Sequence, residues 1–151
     1  MSSRIDYATV SPEGYRAMIA LYRYLPDCGL EPLLVHLVFL RVSQINGCGY
    51  CVDLHWRDAL KAGDTARRLN SVVTWRETPF FSPRERAGLA WAEALTRIAE
   101  THAPDADYDA ARALFSDKEL VDLSFAISMM NGLNRIGIAF RRTPAAEPVA
   151  A

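Results

Sequence analysis

The sequence predicts an all-α fold: a single-domain bundle of six to seven helices over residues 1–151, with about 143–151 a loose tail. Three observations predict it. Apolar residues recur at three- and four-residue steps along most of the chain. Serine, proline and glutamate stand where helix starts need them. No alternating strand pattern persists, and no linker or internal repeat divides the chain.

The first helix is expected in SPEGYRAMIALYRYL, with Ser11 as N-cap, Pro12 at the first helical position and Glu13 in the first turn. EPLLVHLVFLRVSQI follows. Leu34, Leu37, Val38, Arg41 and Ile45 give it one largely apolar face, and Asn46-Gly47 stops it. A third helix starts near Cys48 and runs to about Ala62, with Gly63 as its C-terminal cap; Asp64 then caps a short helix through TARRLNSVV. FSPRERAGLAWAEALTRIAE carries the clearest signal: Ser82, Pro83 and Glu85 form a capping box, followed by Gly88, Trp91, Ala92, Leu95 and Ile98 or Ala99. Ser116 and Glu119 repeat the box before the stripe Leu120, Leu123, Ile127, Met130 and Leu133 or Asn134. The tail TPAAEPVAA is small and proline-rich.

Composition bounds the function. A chain of 151 residues buries roughly 70% of its unfolded surface and needs no disulfide for stability. Half of the residues are hydrophobic and the net charge is −1, which argues against a nucleic-acid partner, where a basic excess is usual. The N-terminus MSSRIDYATVSPEG has no apolar signal region, and LLVHLVFL falls far short of the ~20 residues of a membrane span. A cytoplasmic location is therefore expected. There a C-x-x-C pair more often marks redox catalysis or metal than a structural bridge.

That pair lies in NGCGYCVDLH. With Glu31 to Ala62 as a helical hairpin turning at Asn46-Gly47, Cys48 opens the second helix, where unpaired N–H groups and the helix dipole favour thiolate. Cys51 is one turn on, along the same face and within disulfide reach, and His55 is one turn further. An imidazole there can accept the proton of Cys51. His36 lies roughly 15 Å back from the turn on the first helix and His55 roughly 10 Å beyond it on the second. The hairpin thus makes them near neighbours, and a relay from His36 through His55 to Cys51 is feasible. The competing reading of His36 is a core histidine within apolar LLVHLVF. Cys48, Cys51, His55 and His36 also form a Cys2His2 set suited to zinc, although the spacing keeps His36 far from Cys48. A third reading makes the cysteines small core hydrophobes. Helix geometry alone leaves the attacking sulfur open: the helix start favours Cys48, and His55 favours Cys51. Cys28 is expected in a loop without chemistry, and His102 at a solvated helix end.

The run from about Leu33 to Thr96, and above all S-Q-x-N-G-C-x-x-C-x-x-x-H, resembles the alkylhydroperoxidase D-like branch of the carboxymuconolactone decarboxylase family; MMNGLNRIGIAFR resembles that branch's closing helix. The resemblance implies an all-helical fold, homo-oligomers (trimers or hexamers), and reduction of organic hydroperoxides or hydrogen peroxide by the cysteine pair without cofactor or metal. It implies Cys51 as the attacking and Cys48 as the resolving cysteine, His55 in the proton relay, and a dithiol reductant such as a lipoyl- or thioredoxin-like protein. Two positions depart from the family pattern. The relay glutamate twelve residues before the first cysteine is here His36, which can shuttle protons near neutral pH but supplies no fixed negative charge. The histidine that alkylhydroperoxidase D carries inside C-x-x-C is absent, since Gly49 and Tyr50 stand there. The rival functions are a lactone or carboxylate enzyme of the decarboxylase type and a non-enzymatic oligomer responding to redox state or zinc.

Overall fold

The computed structural model describes residues 3–146, all helix, turn and loop with no strand among them. Its α-helices are α1 (Tyr7–Val10), α2 (Pro12–Met18), α3 (Ala20–Tyr24), α4 (Pro32–Asn46), α5 (Gly49–Lys61), α6 (Ala66–Asn70), α7 (Pro83–Thr96), α8 (Ile98–Thr101), α9 (Asp105–Arg112) and α10 (Asp117–Ala139). Two 3-10 segments, Leu25–Asp27 and Ser71–Glu77, join α3 to α4 and α6 to α7. Helical segments outnumber the six or seven expected because single non-helical residues break two of them and because α1 and α9 form where no helix is expected. Ile19 separates α2 from α3, and Arg97 separates α7 from α8. Both breaks lie inside runs whose apolar spacing is continuous, so periodicity does not reveal them.

Local signals place the main helix ends. Ser82 and Glu85, and Ser116 and Glu119, close complete capping boxes at the starts of α7 and α10. Gly47 ends α4 in the left-handed region at φ 72°, which a residue with a β-carbon adopts only at a cost. Ser11 occupies the N-cap of α2 without a side-chain hydrogen bond. The start of α6 corrects the sequence reading. The cap is Thr65, whose hydroxyl accepts from the Arg68 N–H, while Asp64 accepts instead from the Thr65 N–H and the Arg68 guanidinium. Residues 143–146 are exposed and irregular, and the rest of the predicted tail lies outside the described residues.

Helix α4 is the axis of the molecule, packed against α5, α7 and α10. The sequence suggests a one-faced helix; the structure buries it nearly all round. Val38, Phe39 and Val42 enter a core with Trp91, Ala92, Leu123, Ile127 and Met130. Leu37 and Leu40 enter a second core with Leu69, Val72, Trp75, Phe81 and Leu89. Each such side chain contributes roughly 1.5–3 kcal/mol by leaving water. The first helix of the hairpin is therefore held from both sides. Cys28 lies in a loop as expected, just after the first 3-10 segment, but its unpaired side chain is 5% exposed and packs in the first core. His102 is exposed beyond α8. Among the described residues, no helix is long and apolar enough to cross a membrane.

Candidate functional site

The hairpin α4–α5 turns at Gly47, and the next residue, Cys48, is the N-cap of α5 in extended conformation. Its side chain makes no capping hydrogen bond. The first-turn N–H groups of α5 therefore stay uncapped around the sulfurs, where they favour negative charge. Cys48 and Cys51 are joined in a disulfide, with Cα atoms 5.4 Å apart. The two sulfurs do lie on one helical stripe.

A polar brace fixes this turn from below. The Asn46 side-chain N–H group donates to Oδ1 of Asn131 at 2.9 Å and of Asn134 at 3.0 Å, and Asn134 donates to Ser43 Oγ at 3.1 Å. Ser43 and Asn134 are fully buried. The serine and asparagine of the S-Q-x-N-G-C motif thus tie the hairpin to α10. The spacing of Asn131 and Asn134 on one face of α10 is visible in the sequence, but their partners are not. Gly137, one turn further, lets α10 approach the disulfide. A β-carbon there would stand 3.4 Å from Cys48 Sγ and 4.0 Å from Cys51 Sγ.

His55 is 1% exposed and follows Cys51 by one turn. Its ring centroid lies 4.9 Å from that of Phe39 and 6.2 Å from that of His36, which is half-buried. The hairpin geometry thus brings His36 and His55 together as predicted, and Nδ1 of each is buried without a hydrogen-bond partner. Burial, and next the neighbouring His36, push the His55 pKa down to about 4, against a smaller opposing pull from Asp58. Burial lowers His36 as well, again against Asp58. His55 is accordingly a neutral imidazole near pH 7 and can accept a proton.

This has a consequence for stability. In the unfolded chain His55 binds a proton near pH 6.5, whereas the folded protein resists that proton until about pH 4. Between these values the unfolded state holds more protons, so stability falls as pH falls. The loss is absent above pH 6.5, grows as pH falls through this window, and is complete at about 3 kcal/mol below pH 4. Urea unfolding from pH 7.5 to 4 is expected to show this slope and His55→Gln to flatten it. An unchanged slope in the variant would exclude His55 as its source.

Cys51 and His55 open onto a cavity of about 280 Å³. Tyr50, Asp58, Leu133 and Arg142 are among its other walls; Cys48, 1% exposed, is not. The guanidinium of Arg142 lies 4.1 Å from the Tyr50 ring centroid and donates to Tyr7 Oη at 3.0 Å. Periodicity does not signal Tyr7, Asp58 or Arg142 as site residues, since the first and last come together from opposite ends of the chain. A second cavity of about 160 Å³ is lined by His36, Phe39, Leu25 and Leu30. Tyr22 lines both cavities, and the two imidazoles lie one on each. Among the described residues, no three His, Cys, Asp or Glu side chains gather in a metal-binding arrangement.

Comparison with known proteins fits this geometry. The family model for the carboxymuconolactone decarboxylase family matches residues 12–94. The uncharacterized protein YdfG of Bacillus subtilis is 35% identical over 147 residues, covering 97% of this chain and all of that protein. The alkyl hydroperoxide reductase AhpD of Brucella abortus is 37% identical over 65 residues, covering 42% of this chain and 37% of that enzyme. A crystal structure from Agrobacterium tumefaciens, of a protein of unknown function named as a candidate antioxidant defence protein AhpD, superposes with a TM-score of 0.93. It shares 43% identity and covers 97% of this chain and 100% of its own. With the disulfide hairpin, its histidine and the closing helix all in place, the chain belongs to the carboxymuconolactone decarboxylase family, in its alkylhydroperoxidase D-like branch.

Proposed function

We propose that the chain is a dithiol peroxidase, with the Cys48–Cys51 disulfide as the oxidised form of its cycle. One observation carries this reading: of the two bonded sulfurs, the one that faces the cavity is the one beside the neutral imidazole. In the reduced protein the negative charge forming on Cys51 raises the proton affinity of His55, which takes the Cys51 proton. The Cys51 thiolate attacks the distal oxygen of a hydroperoxide and the O–O bond breaks. The alkoxide leaves with the proton returned by His55, so alcohol is released and Cys51 becomes a sulfenic acid. Cys48 then attacks the Cys51 sulfur, forming the disulfide and releasing water. An external dithiol restores both thiols by exchange through a mixed disulfide. With sulfurs this buried, a reductant on a slim arm, as a lipoyl group is, reaches Cys51 more readily than a flat protein face. His36 fills the relay position held by a glutamate in the branch, and passes protons between His55 and the second cavity.

The test starts from fully reduced protein freed of reductant. One equivalent of cumene hydroperoxide is expected to remove two of its three titratable thiols and leave Cys28. Survival of all three would overturn the reading.

A further inference from the structure

The cavity above Cys51 has an unequal balance of charge. Two guanidiniums, Arg23 and Arg142, and one carboxylate, Asp58, lie in its wall. Asp58 already has a cation, Lys61, at 3.4 Å. Arg142 forms no ion pair: no carboxylate comes within 4.0 Å of it among the described residues, the nearby charge being Asp6 on an adjoining cavity wall. It is held instead by aromatic groups, with Tyr7 accepting one hydrogen bond and the Tyr50 ring beneath it. Tyr15 also draws on the guanidinium; together these contacts fix its plane without using all five donors. A planar fork of that kind matches a carboxylate in two-pronged fashion. Tyr50 directly precedes Cys51, so the stacked cation and the reacting sulfur belong to one wall.

Shape narrows the ligand further. At about 280 Å³ the cavity falls just below the usual range of ligand pockets, about 300 to 1,000 Å³. It suits one ring or a short chain. Tyr7, Tyr15, Tyr22 and Tyr50 supply aromatic faces and edges for a ring.

We propose that this cavity selects small hydroperoxides that carry a carboxylate, with Arg142 binding the anion while the peroxide reaches Cys51. The selectivity rests on the peroxidase reading for its chemistry, although not for its binding. The cation also offsets the repulsion that such an anion would meet from the Cys51 thiolate.

The experiment compares two substrates with the same ring and the same peroxide group, cumene hydroperoxide and its para-carboxylate, 4-(2-hydroperoxypropan-2-yl)benzoate. Stopped-flow oxidation of the reduced protein at low salt is expected to be about tenfold faster with the carboxylate, a factor that shrinks as salt is added. In Arg142→Gln the ratio of the two rate constants falls to near one, and in Arg142→Lys part of the preference returns. Equal rates in the wild type, or a preference that survives Arg142→Gln, would overturn the proposal. Calorimetry on the oxidised protein, with 4-(2-hydroxypropan-2-yl)benzoate against 2-phenyl-2-propanol, separates binding from chemistry. If neither hydroperoxide oxidises the protein, the peroxidase reading fails, and calorimetry then decides the anion preference alone: tighter binding of the benzoate, lost in Arg142→Gln, upholds it, and equal binding ends it.

Discussion

Cys51→Ser is expected to lower the rate of hydroperoxide reduction by at least about a thousandfold, because the alcohol has neither the acidity nor the nucleophilicity of the thiol it replaces. Cys48→Ser behaves differently. Its Cys51 still faces the cavity beside His55, so it reduces one equivalent of peroxide and then stalls as a sulfenic acid that a dimedone probe labels. The contrast separates the two sulfurs, which helix geometry alone leaves equivalent. Mass spectrometry of each variant after a single addition of peroxide reads it directly. Labelling of Cys48 in Cys51→Ser, with one equivalent of peroxide reduced at an undiminished rate before the stall, would reverse the roles.

The second large effect concerns stability, away from the cysteines. Glu93 of α7 is 8% exposed and accepts hydrogen bonds from Arg41 Nε at 2.6 Å, from Trp75 Nε1 at 2.9 Å and from Arg76. Burial works against its ionisation, but the donors Trp75, Arg76 and Arg41 outweigh it and hold the carboxyl below the usual range. The Arg41 side chain is only 11% exposed. Glu93→Ala would strand that guanidinium and the Trp75 N–H, at a cost of about 3–5 kcal/mol. Against a total stability of roughly 5–15 kcal/mol, that is enough to unfold much of the protein on mild heating. Glu93→Gln keeps an acceptor and the shape, and is expected to lose about 1–3 kcal/mol. Urea midpoints of the two variants test this; a loss below about 1 kcal/mol for Glu93→Ala would show that water satisfies the cluster instead.

The parts of this molecule legible in its sequence are those set by neighbours a few positions away. Ser82 with Glu85, Ser116 with Glu119, and Gly47 after Asn46 mark helix ends because the groups they satisfy are three or four residues distant. The stripe Cys48, Cys51, His55 is legible for the same reason, and the placing of His36 opposite His55 needs only one hairpin. Where two adjacent residues compete, as Asp64 and Thr65 do at the start of α6, composition does not choose. The arginine four residues on decides, by drawing Asp64 into an ion pair. The walls of the cavity lie further out of reach. Tyr7 and Arg142 meet across almost the whole chain, and Asn134 reaches Ser43 and Asn46 across more than eighty residues. Such pairings follow from how helices stack, and periodicity carries no record of partners.

The tie between the hairpin and α10 has a consequence for how the protein is made. Asn134 and Gly137 follow Cys51 by more than eighty residues, which a ribosome takes roughly 4–16 s to add at 5–20 residues per second. Until they arrive, the turn bearing the cysteines lacks its brace, and nothing covers the inner sulfur. Each newborn chain therefore passes through a vulnerable age at which its two thiols meet oxidants, and each other's counterparts on neighbouring chains, without a shelter that decides which reaction wins.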